Sequence, residues 1–173
     1  MSKVFSKSKQ EEGKNTIEIL YENSTVMDKL DFNIDFLNAY LVKAINNFLN
    51  SRYEYNIKLC EKYLSSNCKN ELIEDINKDA AKYNLSNCNI EIKSIEILSQ
   101  NIQSVNYISD LIIEIKTHAN YHKENIITKI IREVDEEYVQ KLWFSLGDGK
   151  GWVINKYYNR DYAYSNDDKI IRM

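Results

Sequence analysis

The apolar residues of this chain change period once, near residue 88, and that switch constrains the fold more than any motif does. Before it, Phe32, Phe36, Tyr40, Ala44 and Phe48 recur at steps of four, with Leu37, Leu41, Ile45 and Leu49 alongside. Such steps place side chains on one face of an α-helix, so a central helix is expected here, capped by Asp31 or Asn33. A second, short helical stretch carries Ile57, Cys60, Tyr63 and Leu64. Ser65-Ser66-Asn67 then caps a third helix, in which Leu72, Ile76, Ala80 and Tyr83 face one way. After residue 88 alternation takes over. Ile90 and Ile92 alternate, then Ile95 and Ile97, with a slip of phase near Ser94 of the kind a β-bulge produces. Val105, Tyr107, Leu111, Ile113 and Ile115 share one parity in a long strand, and Ile127 to Ile131 reads as another. Tyr138, Leu142, Phe144 and Leu146 form a fourth, which the glycine-rich turn at 147–151 folds back into Trp152–Tyr158 as a hairpin. Helices first and strands afterwards predict an α+β fold. N-terminal helices pack on a curved antiparallel sheet of four or more strands, a cone-like, cystatin-like roll.

One α+β domain is expected over 31–158. A polar arm precedes it at 1–30, partly disordered or holding a short helix at Ile17, Leu20 and Tyr21, and a tail follows at 159–173. A chain of 173 residues is long enough to bury a real core. No apolar run approaches the ~20 residues of a membrane span, and the N-terminus lacks the apolar stretch of a signal peptide. The expectation is a cytoplasmic protein without a membrane span, with peripheral membrane association left open. Because 23 basic residues face 26 acidic ones, the net charge of −3 argues against a nucleic-acid binder that neutralises phosphates. Cys60, Cys68 and Cys88 are odd in number and form no CxxC pair, so they read as buried free thiols. Proline is absent while Lys, Asn, Ile and Tyr abound, a bias of A/T-rich codons such as an A/T-rich bacterium would use.

Several motifs invite chemistry and none demands it. His118 and His122 form HxxxH, which on a helix would offer two metal ligands; among Asn and Lys after the strand ending at Ile115 they read as a solvated turn. Asp110, Tyr53, Tyr55 and Tyr107 are residue types that a pocket enzyme could use, without a spacing that defines a dyad. Gly147, Gly149 and Gly151 precede a strand, so they serve a hairpin turn rather than a phosphate loop. The run from Lys156 to Tyr164 mixes aromatics with cations, but Asp161, Asp167 and Asp168 offset them, and a segment packing locally or touching a partner is expected. No catalytic residue, metal or cofactor is assigned.

The hairpin register carries the sharpest expectation. If Leu146 pairs with Trp152, Phe144 faces Ile154 and Leu142 continues the core face. The other parity then holds Trp143, Val153 and Tyr157, an apolar patch suited to a protein partner or a homodimer. The alternative is a small-molecule or enzymatic pocket between the first helix and the sheet, isomerase- or dehydratase-like, lined by Tyr40, Ala44, Phe48, Leu111, Ile113, Leu142 and Phe144.

Over 32–158 the chain resembles the nuclear transport factor two-like superfamily. The resemblance rests on Phe36-Leu37-x-Ala39, the helix through Ala44 and Phe48, Tyr63-Leu64-Ser65, and the hairpin from Leu142-Trp143-Phe144 to Gly151-Trp152. Within it the chain is most similar to the C-terminal domain of the mitochondrial inner-membrane import-motor adaptor and its bacterial relatives, with the type IV secretion assembly-factor domain as a cousin. The resemblance implies a non-catalytic docking or scaffold domain of a membrane-associated transport, secretion or conjugation assembly.

Overall fold

The computed structural model describes residues 5–6, 10–11, 14–15, 19–21, 34–104, 107–147 and 151–172. Helix α1 (Ile34–Tyr53) comes first among the long elements, followed by two 3-10 turns at Ile57–Leu59 and Glu61–Tyr63, then α2 (Ser66–Ala80). Five long strands complete the chain: β5 (Tyr83–Ser104), β6 (Tyr107–Asn125), β7 (Ile131–Gly147), β8 (Gly151–Tyr157) and β9 (Asp161–Arg172). In the arm, β1 (Phe5–Ser6) pairs with β4 (Ile19–Tyr21), and β2 (Gln10–Glu11) with β3 (Lys14–Asn15). The fold is α+β, two helices packed with a curled antiparallel sheet, as the change of period requires.

Long strands β5, β6 and β7 pair in sequence, all antiparallel. The far edge of β7 is then shared end to end: β8 takes Leu142–Gly147, and β9 takes Ile131–Val139. Beyond β5, Ile19–Tyr21 runs parallel to Ile95–Ile97, so Leu20 and Tyr21 belong to a strand and not to the expected short helix. Backbone pairing with β5 overrides whatever helical pattern those side chains suggest. The bulge expected near Ser94 falls between Ile92 and Ser94, one of five register shifts along β5. Four of the five insert an extra residue into β5 and bend it, which is how a 22-residue strand curls around a helix.

Helix α2 starts as its sequence signals: Ser65 is the N-cap, and its Oγ accepts from the Cys68 N–H at 3.2 Å. Asp31, Phe32, Asn33 and Val105 lie outside the described residues. Two other expectations fail. Ile127–Ile131 is not a strand of its own, because residues 126–130 turn β6 into β7. There Asn125 Oδ1 accepts from the Ile127 and Thr128 N–H groups at 2.9 and 3.0 Å, and Lys129 adopts φ 62°. An Asx turn outweighs local apolar content, and Ile127 is left 89% exposed. Nor is 159–173 a tail, since Asp161–Arg172 hydrogen-bonds to β7 as β9.

The core lies between α1, α2 and the concave face of the sheet. Leu41, Ala44, Ile45, Phe48 and Leu49 from α1 meet Leu72 and Ile76 from α2, and Ile95, Ile113, Leu142 and Phe144 from the strands. Cys60 and Cys68 are buried within it, whereas Cys88 is half-buried; all three are free thiols. Burial pushes the Cys68 thiol up to about 12 and also raises that of Cys60, so little reactive thiolate forms. A thiol reagent added to the native protein at mildly alkaline pH is therefore expected to modify Cys88 first. Cys60 and Cys68 should react only on unfolding, as mass spectrometry of the labelled peptides can check.

Candidate functional site

Strand alternation places Glu136 and Tyr138 of β7 on the concave face, together with Ala119 and Tyr121 of β6. Ala119 stands opposite Glu136 and is small enough to leave room above it. Tyr53, the last residue of α1, descends into this space. The Tyr53 hydroxyl donates to Glu136 Oε2 at 2.9 Å, Tyr121 donates to Oε1 at 3.1 Å, and Ser165 of β9 donates to Oε1 at 3.4 Å. Tyr53 and Tyr138 share a further hydroxyl bond of 3.0 Å. Arg160, in the link between β8 and β9, closes the cluster 3.8 Å from Glu136. Its guanidinium lies 4.5 Å from the Tyr138 ring centroid and 5.2 Å from that of Tyr53.

This arrangement binds its own charges. Glu136 is 3% exposed, yet its two oxygens face three hydroxyl donors and one cation, so the carboxylate is satisfied within the protein. Burial raises the hydroxyl pKa of Tyr53 and Tyr121 far above the ordinary value and raises that of Tyr138, and Arg160 only partly opposes this. The tyrosines therefore stay protonated donors near neutral pH and supply no base. The cluster works as a lock that ties α1, β6, β7 and β9 together.

Two clefts open beside the lock. One, of about 360 Å³, lies between α2 and the β8–β9 link and includes Arg52, Asp75, Gln140 and Arg160. The other, of about 230 Å³, lies over Tyr53 and Tyr121 with Lys123, Arg160 and Tyr162 around it. A third, of about 660 Å³, separates the end of α1 from the start of β5.

The expected pocket residues are brought together in one buried cluster. Ala44, Phe48, Leu111, Ile113, Leu142 and Phe144 are 0–1% exposed in one core cluster, with Tyr40 packed against it. The clefts described above open away from them.

Of the expected interface residues, Trp143 and Val153 keep the outer parity and Tyr157 does not. Leu146 does pair with Trp152, and Phe144 with Ile154. A bulge at Asn155 then shifts the phase, so Trp143 pairs with Lys156 and Leu142 with Tyr157. Tyr157 consequently turns inward, its ring 5.5 Å from that of Phe48 and its hydroxyl donating to Asp75. Val153 is buried at 3% exposure. Only Trp143 remains half-exposed on the outer face, its indole N–H donating to Asp110 Oδ1 at 2.9 Å. One inserted residue removes Tyr157 from the patch.

The remaining candidates disperse as well. Asp110 shares the outer parity of β6 with His118 and His122, whereas Tyr53 is in the lock on the inner face; Tyr55 packs against the core, and the Tyr107 side chain lies outside the described set. His118 and His122 sit within β6 and not in a turn. Strand spacing holds them roughly 13 Å apart, too far to share one ion. His118 Nε2 instead meets Asp135 Oδ1 at 2.6 Å, and His122 Nδ1 lies 3.0 Å from Asn87 Nδ2. Among the described residues, no group of three or more His, Cys, Asp or Glu is placed to hold a metal ion, and no helix is long and apolar enough to cross a membrane.

Glu136, Tyr138 and Arg160 were missed as a unit. A signal existed, because Glu136 and Gln140 share the parity of Tyr138, Leu142 and Phe144, and a charged residue at core parity needs a partner. No family model matches the chain, and no curated protein matches it significantly.

Proposed function

We propose that the chain is a non-catalytic protein-binding domain that docks a partner along the open edge of β9. The observation that carries this is the distribution of exposed apolar side chains. Of the six large hydrophobic residues exposed among the described residues, five fall in one stretch: Tyr158, Tyr162, Tyr164, Ile170 and Ile171. Within the described residues β9 pairs on one side only, with β7. Its other side offers unpaired backbone donors and acceptors beside those side chains, the combination that an added strand from a partner uses. Burial of the residues expected to line a catalytic pocket, and a buried carboxylate satisfied internally, favour docking over chemistry. The nuclear transport factor two-like resemblance supports the same reading. It extends the proposal to a scaffold of a transport, secretion or conjugation assembly, working in the cytoplasm or against a membrane surface.

The test compares partners captured by the wild-type chain and by a Tyr164→Lys/Ile170→Lys variant, with circular dichroism confirming that both are folded. Each side chain is about 40% exposed, so the variant should keep its fold while losing apolar contact. A protein partner held at this edge should bind at least about 30-fold more weakly, the ~2 kcal/mol of a hot spot. Partners retained equally by both chains would overturn the docking edge.

A further inference from the structure

The 230 Å³ cleft at the end of α1 has a chemistry that the lock does not use. Its lining holds three cations, Arg52, Lys123 and Arg160, against one carboxylate, Asp79. The carboxylates that balance the other two cations stand outside the lining. Each cation has an acidic neighbour at a loose distance: Arg52–Asp79 at 3.4 Å, Lys123–Asp167 at 3.6 Å and Arg160–Glu136 at 3.8 Å. Charge-assisted bonds at full strength close to about 2.7–2.9 Å, so all three retain capacity for another anion.

Arg160 is the best prepared of them. Its stacking on Tyr53 and Tyr138 holds the guanidinium plane before any ligand arrives. Of its donors, Nη1 reaches the Tyr162 hydroxyl at 3.4 Å, and the buried Nε has no hydrogen-bond partner among the described residues. A buried donor left unsatisfied is a place where a ligand oxygen gains most. Tyr53, Tyr121 and Tyr162 supply flat aromatic wall around the same space. Because Arg160 itself fills the space between Tyr53 and Tyr138, an organic cation has no cage to enter. The cleft is also smaller than the roughly 300–1,000 Å³ of drug-sized sites, which suits a ligand of one ring.

We propose that this cleft binds a small aromatic carboxylate, its charged end held by Arg160 and Lys123 and its ring against Tyr121 and Tyr162. The test titrates the full chain with benzoate, benzamide and inorganic phosphate, following chemical shifts or heat. Benzoate should bind and should weaken as salt is raised. Benzamide, which has the ring without the charge, and phosphate, which has the charge without the ring, should each bind at least about tenfold more weakly. Lys123→Gln and Arg160→Lys should each weaken benzoate by about tenfold, the first at a half-buried site that leaves the lock intact, the second keeping the positive charge beside Glu136. Absence of benzoate binding, equal binding of benzamide or phosphate, or affinity unchanged in Lys123→Gln would overturn the proposal.

Discussion

Replacing Glu136 by alanine is expected to lower stability by about 3–5 kcal/mol, because it strands a buried cation. Arg160 is only 13% exposed, and the Glu136 carboxylate lies 3.8 Å from it. The same substitution removes the acceptor of the Tyr53, Tyr121 and Ser165 hydroxyls, and the two buried tyrosines lose that bond away from water. Urea melts read the loss directly. A control separates the stranded charge from lost packing: Glu136→Leu combined with Arg160→Met replaces the pair with apolar groups of similar size and should recover most of the stability. If the double variant is as unstable as the single one, lost packing explains the effect and the charge does not. If Glu136→Ala costs less than about 1 kcal/mol, the lock does not hold the sheet extension in place.

The second large effect is alkaline unfolding. Tyr53, Tyr121 and Tyr138 are 3%, 8% and 1% exposed, and burial raises the pKa of each above the ordinary 10. In the unfolded chain they ionise near 10, so above that pH the unfolded state binds fewer protons than the folded one. Their contribution is fully present below pH 10 and falls as pH rises. Each tyrosine that stays protonated in the fold costs about 1.4 kcal/mol at pH 11, so Tyr53 and Tyr121 together should make the protein about 3 kcal/mol less stable there than at pH 8, and Tyr138 adds in the same direction. Denaturant melts across that range check the slope, and Tyr121→Phe should reduce the loss at pH 11 by about 1.4 kcal/mol. A stability that is flat to pH 11 would mean that these hydroxyls titrate freely and are not buried donors.

Periodicity carried the architecture because it reports one-dimensional geometry. Ala44 and Phe48 at helical spacing, and Leu111, Ile113, Leu142 and Phe144 at strand spacing, all reached one core, since side-chain direction follows from backbone repeat alone. The serine cap of α2 and the bulge near Ser94 were legible for the same reason: each is set by a few neighbouring residues. The errors fall where a single residue changes phase or where distant chain supplies the partner. An extra residue at Asn155 turned Tyr157 from the outer face to Phe48. The Asn125 turn absorbed two isoleucines that looked like strand. Asp161–Arg172, nearly all exposed and rich in polar residues, became a strand because β7 offered a free edge.

What the sequence determined by itself is the α+β class, the helical layer, and which parity of β6 and β7 faces the core, because all three follow from spacing along the chain. What only the tertiary structure decided is the site. Tyr53 and Glu136 stand 83 residues apart along the chain, and Arg160 lies further on still, yet the three meet through α1, β7 and the β8–β9 link, and no local pattern encodes that meeting. Burial of a carboxylate is favourable only if donors converge on it, and their convergence depends on the curl of the sheet. The same curl decides that the interior is packed and that the clefts open at the end of α1. Period is a property of the chain; an enclosed charge and an open cleft are properties of the packed sheet.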